Sequence, residues 1–295
     1  MYKLAVLDID GTLINGNRKL TRYTRKIIKK LKEQNYYVTI CTGRNLGITM
    51  PIIKKLKIDI PFACVDGTVV YNPDGSVLYK NNIEYEEYKE ILNIVDEEEV
   101  FIIVTRDEGY YRYIKSEEVI KYEVFGTGSI KSSIRNKIER YVLKKYVKVF
   151  DVKDLNHFTK EKYPEVHQVG IGGTQKHFDN ISKKLKDRYG DGLDFRDDLW
   201  DGCMLINKPE VNKLKAVKVI CEHLGVNLDE VIAIGDERND LTMLTNVGCG
   251  IAMGNAKDEI KNMTMDITLS NDENGAAYAL EHYMINGNTT RISKS

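Results

Sequence analysis

The stretch Lys3-Leu-Ala-Val-Leu-Asp-Ile-Asp-Gly-Thr-Leu13 joins a short apolar run to a turn that carries two aspartates. A continuous apolar run of this length is typical of a strand buried on both faces of a parallel sheet. The run ends at Asp8, and ligand sites in open α/β sheets lie beyond the carboxyl ends of the strands. The stretch therefore predicts the first strand of a parallel α/β sheet, with a polar site at its end.

The segments that follow alternate between predicted helix and predicted strand. Helical periodicity over 21–34 precedes an apolar run at 36–40, and a second helix and strand are expected within 45–65. The same alternation returns later, where a helix over 213–224 precedes the buried run Val231-Ile-Ala-Ile234. This order predicts right-handed βαβ units in an α/β, doubly wound, mostly parallel sheet of the Rossmann type.

The segment 81–202 has a different pattern. Residues 100–115 contain two apolar runs around a turn, which is typical of a hairpin, and helical periodicity is present at 132–145 among others. Hairpins mixed with helices indicate an α+β unit. We therefore predict a core domain of residues 1–80 and 203–295, split by an inserted α+β domain of residues 81–202.

The composition limits the classes of function. The chain has 295 residues, with 44 Lys plus Arg and 44 Asp plus Glu, so its formal net charge is zero. This length is typical of about two domains. Nucleic-acid-binding proteins usually carry a basic excess, so the charge balance argues against a nucleic-acid partner. A local basic pocket for a small anion remains compatible with a neutral total.

The sequence also indicates a compartment. The first apolar run breaks at Asp8, too early for a signal peptide, and no stretch approaches the ~20 apolar residues of a membrane span. The five cysteines form no C-x-x-C pair, which is typical of free thiols in a reducing cytosol. We expect a cytoplasmic protein without a membrane partner, working as a monomer or weak dimer.

Carboxylates follow two of the predicted parallel strands. Asp8 and Asp10 follow the first strand, and Asp236 follows the strand at 231–234. Carboxylates that lie close together repel one another unless a cation joins them. Oxygen ligands without histidine or cysteine suit a hard cation, above all Mg²⁺. A single D-x-D pair is equally typical of a strand-end turn, so the prediction depends on the whole set.

A second group of residues could hold an anion. Thr42 and Gly43 follow the second strand, and Lys213 begins the helix at 213–224. Alone, these residues could be an N-cap, a turn and a surface lysine. Together they offer a hydroxyl, a closely approaching amide and an ammonium to a phosphate. With the carboxylates they predict phosphoryl transfer, in which one aspartate attacks phosphorus and another moves the proton.

Four motifs, spread over nearly the whole chain, resemble those of the haloacid dehalogenase-like (HAD) hydrolases. In order they are Asp8-Ile-Asp-Gly-Thr-Leu13, Cys41-Thr-Gly-Arg44, Lys213 and Gly235-Asp-Glu-Arg-Asn-Asp240. Asp66-Gly67 and Gly250-Ile-Ala-Met-Gly-Asn-Ala256 resemble the Cof-type subfamily, which has a large inserted cap. Two positions depart from the family pattern, since Leu214 and Asp66 stand where glycine and asparagine are frequent. Neither departure removes a group that performs chemistry.

The resemblance implies a role for each acidic residue. Asp8 would be the nucleophile and a metal ligand, and Asp10 the general acid/base, with its backbone carbonyl on the metal. Asp236 would be the third protein ligand of Mg²⁺. Asp240 would orient Lys213 or a metal-bound water.

The resemblance also implies a phosphate-binding set and a cap. The phosphate would be held by the amide of Ile9 and by Thr42, Gly43, Lys213 and Asn239. The inserted domain would close over a small phosphorylated substrate and determine selectivity. Possible contacts to the leaving group within it are Arg106, Arg112, His167 and Arg196, although the same residues could simply be structural.

Three functions remain open at this point. The first is a Mg²⁺-dependent phosphatase acting on small phosphomonoesters, such as sugar phosphates or phosphorylated cofactors, through an aspartyl-phosphate. The second is a sugar phosphomutase, which the sequence does not separate from the first. The third is a phospho-accepting signalling module, against which both the inserted domain and Asp10 argue.

Overall fold

The computed structural model describes residues 2–116, 148–200 and 202–294. The helix predicted at 132–145 lies outside these residues. Contacts group the described parts of the chain into two compact units. The first unit comprises Met1–Arg44, Met50–Lys80 and Asn212–Ser295, and the second comprises Asn45–Thr49 and Asn81–Val211.

The strands and helices of both units follow in chain order. The strands are β1 (Leu4–Leu7), β2 (Tyr37–Ile40), β3 (Phe62–Cys64), β4 (Val69–Tyr71), β5 (Val77–Lys80), β6 (Ile83–Glu84), β7 (Phe101–Arg106), β8 (Gly109–Ile114), β9 (Val149–Val152), β10 (Glu165–Val166), β11 (Gln168–Gly172), β12 (Asp194–Trp200), β13 (Cys203–Asn207), β14 (Val231–Gly235), β15 (Cys249–Ala252) and β16 (Asp266–Ile267). The α-helices are α1 (Arg22–Glu33), α2 (Leu46–Leu56), α3 (Tyr85–Asp96), α4 (Gln175–Tyr189), α5 (Lys213–Leu224), α6 (Leu241–Leu244), α7 (Asp258–Met263) and α8 (Gly275–Leu280).

The first unit is built on a parallel sheet of order β2-β1-β14-β15-β16. Leu7 of β1 pairs with Ile40 of β2 on one side and with Ile234 of β14 on the other. All residues of β1 and β14 are buried, as expected for strands covered on both faces. The predicted α/β fold with a mostly parallel sheet is confirmed.

Strand β3 differs from the expectation of a further parallel strand. It pairs antiparallel with β4, and a single parallel bridge between Cys41 and Ala63 joins it to the end of β2. The chain reverses immediately after β3, because Val65 and Asp66 both adopt positive φ, 49° and 54°. The reversal creates an antiparallel sheet of order β3-β4-β5.

The second unit contains a sheet of order β12-β13-β11-β7-β8-β9. Its neighbours pair antiparallel except β8 and β9, which are parallel. Apolar side chains of α3 and α4 form one core with this sheet; they include Ile91, Leu92, Phe178 and Ile181. A mixed helix and sheet unit is what the hairpin pattern predicted for this part of the chain.

The boundary predicted after residue 202 differs from the one that the contacts give. Strand β13 pairs with β11 and β12, so residues 203–211 group with the second unit. Residues 45–49 also group there, although they follow the second strand of the first unit. The physical reason is strand pairing, which an apolar run of five residues cannot reveal by itself. That the second unit acts as a cap stays a prediction.

The last described residues of the chain contact the parallel sheet of the first unit. Ile292–Lys294 form a short turn that contacts β16. The buried carboxylate of Asp266 accepts hydrogen bonds from the amides of Ile292 and Ser293, at 2.6 and 3.0 Å. This carboxylate therefore ties the tail to the sheet. Among the described residues, no helix has the length and apolar character that crossing a membrane requires.

Candidate active site

The parallel strands of the first unit deliver polar residues to one edge of the sheet. Asp8 follows β1, Thr42 lies two residues after β2, and Asp236 follows β14. Because these strands are parallel neighbours in register, their carboxyl ends meet at the same edge. The helix α5 adds Lys213 as its first residue, after an N-cap in which Asn212 Oδ1 accepts from Lys215 N at 2.9 Å.

Lys213 is a buried cation between two carboxylates. Its Nζ donates to Asp8 Oδ1 at 2.7 Å and to Asp240 Oδ1 at 2.5 Å, and its side chain has no exposed surface. The second oxygen of Asp240 accepts from the amides of Asp236 and Glu237 at 2.9 and 3.0 Å. Buried ammonium groups are tolerated only with such partners. The lysine therefore fixes one oxygen of Asp8 and links it to the loop after β14.

The carboxylate of Asp236 is held from two other loops. Thr12 Oγ1 donates to Asp236 Oδ1 at 2.9 Å, and Asn255 Nδ2 donates to Asp236 Oδ2 at 3.1 Å. Gly11 has a φ of 69°, and a Cβ at this position would lie 2.0 Å from Asp236 Oδ2. The turn after β1 therefore needs glycine, both for its backbone conformation and for the approach of this carboxylate.

Asp8, Asp236 and Asp240 form a compact acidic cluster. Each is buried, and one oxygen of each lies within 4.8 Å of the others. Burial raises the pKa of Asp236 to about 7, Asp240 adds to the rise, and the hydrogen bond from Thr12 opposes it. Burial also raises the pKa of Asp8 well above its usual value, against the effect of Lys213. Among the residues that the structure describes, one ammonium faces these three buried carboxylates, so the cluster is short of positive charge.

The donor set of this cluster suits a hard divalent cation. Its atoms are carboxylate oxygens, which Mg²⁺ prefers, and described histidine or cysteine side chains are not among them. Asp240 already accepts from Lys213 and from two backbone amides. Asp8 and Asp236 are therefore better placed than Asp240 to bind a metal ion. The burial of Lys213 lowers its pKa, but Asp240 and Asp8 outweigh this effect and raise it well above the usual value.

Asp10 lies in a different environment from Asp8. Its side chain is 60% exposed, and its carboxyl group pairs with Arg44 rather than joining the acidic cluster. The sequence pattern predicted Asp8, Asp10 and Asp236 as one set of neighbouring carboxylates. The chain instead enters the turn Ile9–Leu13 directly after Asp8, which separates their surroundings. The metal contact implied for the backbone carbonyl of Asp10 stays a prediction.

The remaining phosphate-binding candidates lie at the ends of β1 and β2 and in the loop after β14. Ile9 is buried in the turn after β1, and Thr42 is buried after β2. A Cβ on Gly43 would lie 3.1 Å from Asp66 Oδ1, so the backbone approaches this carboxylate closely. Asn239 Nδ2 donates to the same oxygen at 2.8 Å. All of these residues belong to the first unit. Their contacts with a phosphate stay predictions.

The four leaving-group candidates lie in the second unit, and each has a protein partner. Arg106 Nη1 donates to the carbonyl of Glu165 at 2.5 Å, and Arg112 pairs with Asp151. The ring of His167 lies between Asn82 Oδ1 and Asp107 Oδ1, at 2.9 and 2.7 Å. Arg196 Nη2 donates to Asn207 Oδ1 at 3.0 Å. These contacts are structural, so a substrate role for any of the four remains a prediction.

Sequence reasoning gave no role to three residues that contact the site. Thr12 and Asn255 both donate to Asp236, and Arg44 binds Asp10. Each lies inside one of the motifs that resemble the HAD hydrolases. Its position in a motif therefore indicated that it lies near the site. The side chain that each one reaches, however, depends on loop geometry that the sequence pattern does not show.

Comparison with known proteins agrees with this architecture. A family model described as haloacid dehalogenase-like hydrolase matches residues 5–280. The 5-amino-6-(5-phospho-D-ribitylamino)uracil phosphatase YitU of Bacillus subtilis is 26% identical over 95% of this chain and 97% of its own. An HMP-PP phosphatase of Serratia proteamaculans is 24% identical over 96% of both chains.

Solved structures show the same fold. A haloacid dehalogenase-like hydrolase from B. subtilis matches with a TM-score of 0.79 and 21% identity, over 96% of this chain and all of that one. At this identity the likeness shows the fold alone. The family model, which covers most of the chain, shows membership as well. The chain therefore belongs to the haloacid dehalogenase-like hydrolase family.

Proposed function

We propose that this HAD-type phosphatase hydrolyses small phosphomonoesters, with Mg²⁺, through an aspartyl-phosphate on Asp8. The contact between Lys213 Nζ and Asp8 Oδ1 carries the proposal most directly. It fixes one oxygen of a buried carboxylate at the end of β1 and leaves the other as the attacking atom. A nucleophile must be held and activated by neighbouring groups, and Lys213 is such a neighbour for the carboxylate of Asp8.

In the first step, the second carboxyl oxygen of Asp8 attacks phosphorus and the bond from phosphorus to the leaving oxygen breaks. Asp10 gives a proton to the leaving oxygen, so the product departs as an alcohol. In the second step, Asp10 takes a proton from water as the water oxygen attacks phosphorus. The bond between Asp8 and phosphorus then breaks, which releases inorganic phosphate and restores both carboxyl groups.

Charge neutralisation supports both steps. Asp8, Asp236 and the carbonyl of Asp10 would hold Mg²⁺, which would supply positive charge for the phosphoryl oxygens. Lys213 supplies a second, permanent positive charge beside the nucleophile. Thr42, Asn239 and the amides of Ile9 and Gly43 would hold the remaining phosphoryl oxygens.

The named relatives support a small phosphorylated substrate. One is named a phosphatase of a phosphoribitylamino-uracil and another an HMP-PP phosphatase. Sugar phosphates and phosphorylated cofactors are therefore the substrate classes to test first. The same names favour hydrolysis over phosphomutase chemistry. The second unit would then act as the cap that provides selectivity for the leaving group.

Phosphate release from an aryl phosphate and from a panel of sugar phosphates tests the proposal. The wild type with Mg²⁺ should release phosphate, and EDTA should stop it. Asp8→Asn should abolish turnover and acid-stable labelling of the protein by radioactive substrate, because the nucleophilic oxygen is lost. Asp187→Asn, a change at an exposed helical position, is the matched control. A wild type inert towards the whole panel would exclude the phosphatase, and a labelled, active Asp8→Asn would exclude this nucleophile.

A further inference from the structure

Arg44 holds the carboxyl group of Asp10 by two hydrogen bonds. Arg44 Nε donates to Asp10 Oδ2 at 2.7 Å, and Arg44 Nη2 donates to Asp10 Oδ1 at 2.6 Å. A guanidinium group matches a carboxylate in this two-pronged geometry, so both oxygens are fixed in position. Packing contributes little to holding the carboxyl group of Asp10 in place, because its side chain is 60% exposed.

The backbone that carries Arg44 is fixed on both sides. Its amide donates to Thr42 Oγ1 at 3.3 Å, and its carbonyl accepts from the amide of Val65 at 3.0 Å. The side chain of Arg44 is only 20% exposed, so most of its stem is covered. An ordered loop therefore presents the guanidinium group to Asp10, and the pair differs from a surface ion pair between two mobile side chains.

The two aspartates of the first motif have separate cationic partners. The buried Lys213 bonds to Asp8 and Asp240, whereas Arg44 bonds to Asp10. A proton-transferring carboxyl group needs a defined orientation towards the atom that it protonates. For an exposed aspartate, that orientation must come from a hydrogen-bonding partner.

We infer that Arg44 is a positioning residue that orients the carboxyl group of Asp10 for proton transfer. The inference rests on the proposed phosphatase function and assigns to Arg44 a role through Asp10 rather than through the phosphate. Loss of Arg44 then impairs the reaction in proportion to the need of the leaving group for a proton. An alkyl alcohol needs this proton far more than a nitrophenol does.

The test compares two substrates in Arg44→Ala, namely 4-nitrophenyl phosphate and a simple alkyl phosphate. Since positioned acid–base catalysis contributes about 10²- to 10⁴-fold, we expect kcat for the alkyl phosphate to fall by at least about 10-fold. The kcat for the aryl phosphate and both KM values should change much less. Millimolar guanidinium should restore alkyl phosphate turnover in Arg44→Ala without affecting the wild type, and Arg44→Lys should be intermediate.

A matched control and a folding check accompany these variants. Arg188→Ala removes another arginine–carboxylate pair, with Glu90 at 2.7 Å between the α4 and α3 helices, and should leave both substrates unaffected. Thermal unfolding shows which variants fold, and Arg44→Gln replaces Arg44→Ala if the latter does not.

Several outcomes would overturn the inference. Equal losses on both substrates, or a large rise in KM together with weaker inhibition by inorganic phosphate, would place Arg44 on the phosphate. Unchanged turnover of the alkyl phosphate would remove the role altogether. A wild type inert towards both substrates would instead refute the proposed phosphatase, and this inference with it.

Discussion

The ionisation of Asp236 allows the acidic cluster to be tested by measuring the stability of the protein, without any assay of activity. The group is 8% exposed, and burial together with Asp240 raises its pKa from 3.8 to about 7. A carboxyl group whose pKa is higher in the folded state binds its proton more tightly there. It therefore stabilises the fold below its unfolded pKa, and this stability is lost as the pH rises towards 7. At about 1.4 kcal/mol per pKa unit, full ionisation costs about 4 kcal/mol.

Asp236→Asn removes this cost while keeping most of the packing. Thr12 can still donate to the amide oxygen, but Asn255 Nδ2 would face an amide group instead of an accepting oxygen. The lost hydrogen bond costs about 1 kcal/mol. Without metal, the variant should therefore be more stable than the wild type by about 3 kcal/mol at pH 8. At pH 5 the two effects nearly cancel, because the folded wild type is then protonated at Asp236.

Urea unfolding followed by circular dichroism, in EDTA at pH 5 and pH 8, measures the difference. Added Mg²⁺ should stabilise the wild type at pH 8 and have little effect on Asp236→Asn, since binding to the folded state alone raises its stability. Asp187→Asn, whose side chain is exposed, serves as the control for a changed carboxylate outside the cluster. A variant that gains no more stability at pH 8 than at pH 5 would refute the account of this cluster.

Two further substitutions test other buried contacts. Lys213→Met should destabilise the metal-free protein by about 3–5 kcal/mol at pH 8, because two buried carboxylates lose their ammonium partner. The loss of stability should be smaller at pH 5. A urea midpoint equal to that of the wild type would contradict this expectation. Asp266→Ala should release the tail and lower the stability of the protein by about 1–3 kcal/mol. Hydrogen exchange at the amides of Ile292 and Ser293 should then accelerate, and unchanged protection would show that other contacts hold the tail.

The parallel core was predictable from the sequence because its strands are continuous apolar runs. β1, β2 and β14 lie within one or two residues of the expected positions, and polar residues follow each of them. Such strands are buried on both faces, so local composition is enough to mark them. The meeting of Asp8, Asp236 and Lys213 then followed from the rule that sites lie at the carboxyl ends of parallel strands.

Pairing partners were less predictable. The short run of β3 gave no indication that it pairs antiparallel with β4, and β13 gave none that it belongs to the second unit. Strand pairing is determined by contacts between residues that are distant in sequence, whereas periodicity reports only on the local environment. The same limit applies to Arg44, whose bond to Asp10 spans 34 residues.

The contact between Lys213 and Asp8 spans 205 residues of sequence, and β1 lies between β2 and β14 in the sheet. A growing chain that has not yet reached Val231 has no β14 to pair with β1. Until then the apolar edge of β1 lacks this neighbouring strand, which is a condition that favours aggregation. Contacts of such long sequence separation also slow folding, since the intervening chain must be ordered before they form. The acidic cluster is therefore completed late in synthesis, and shortened chains that end before residue 213 lack the ammonium that Asp8 requires.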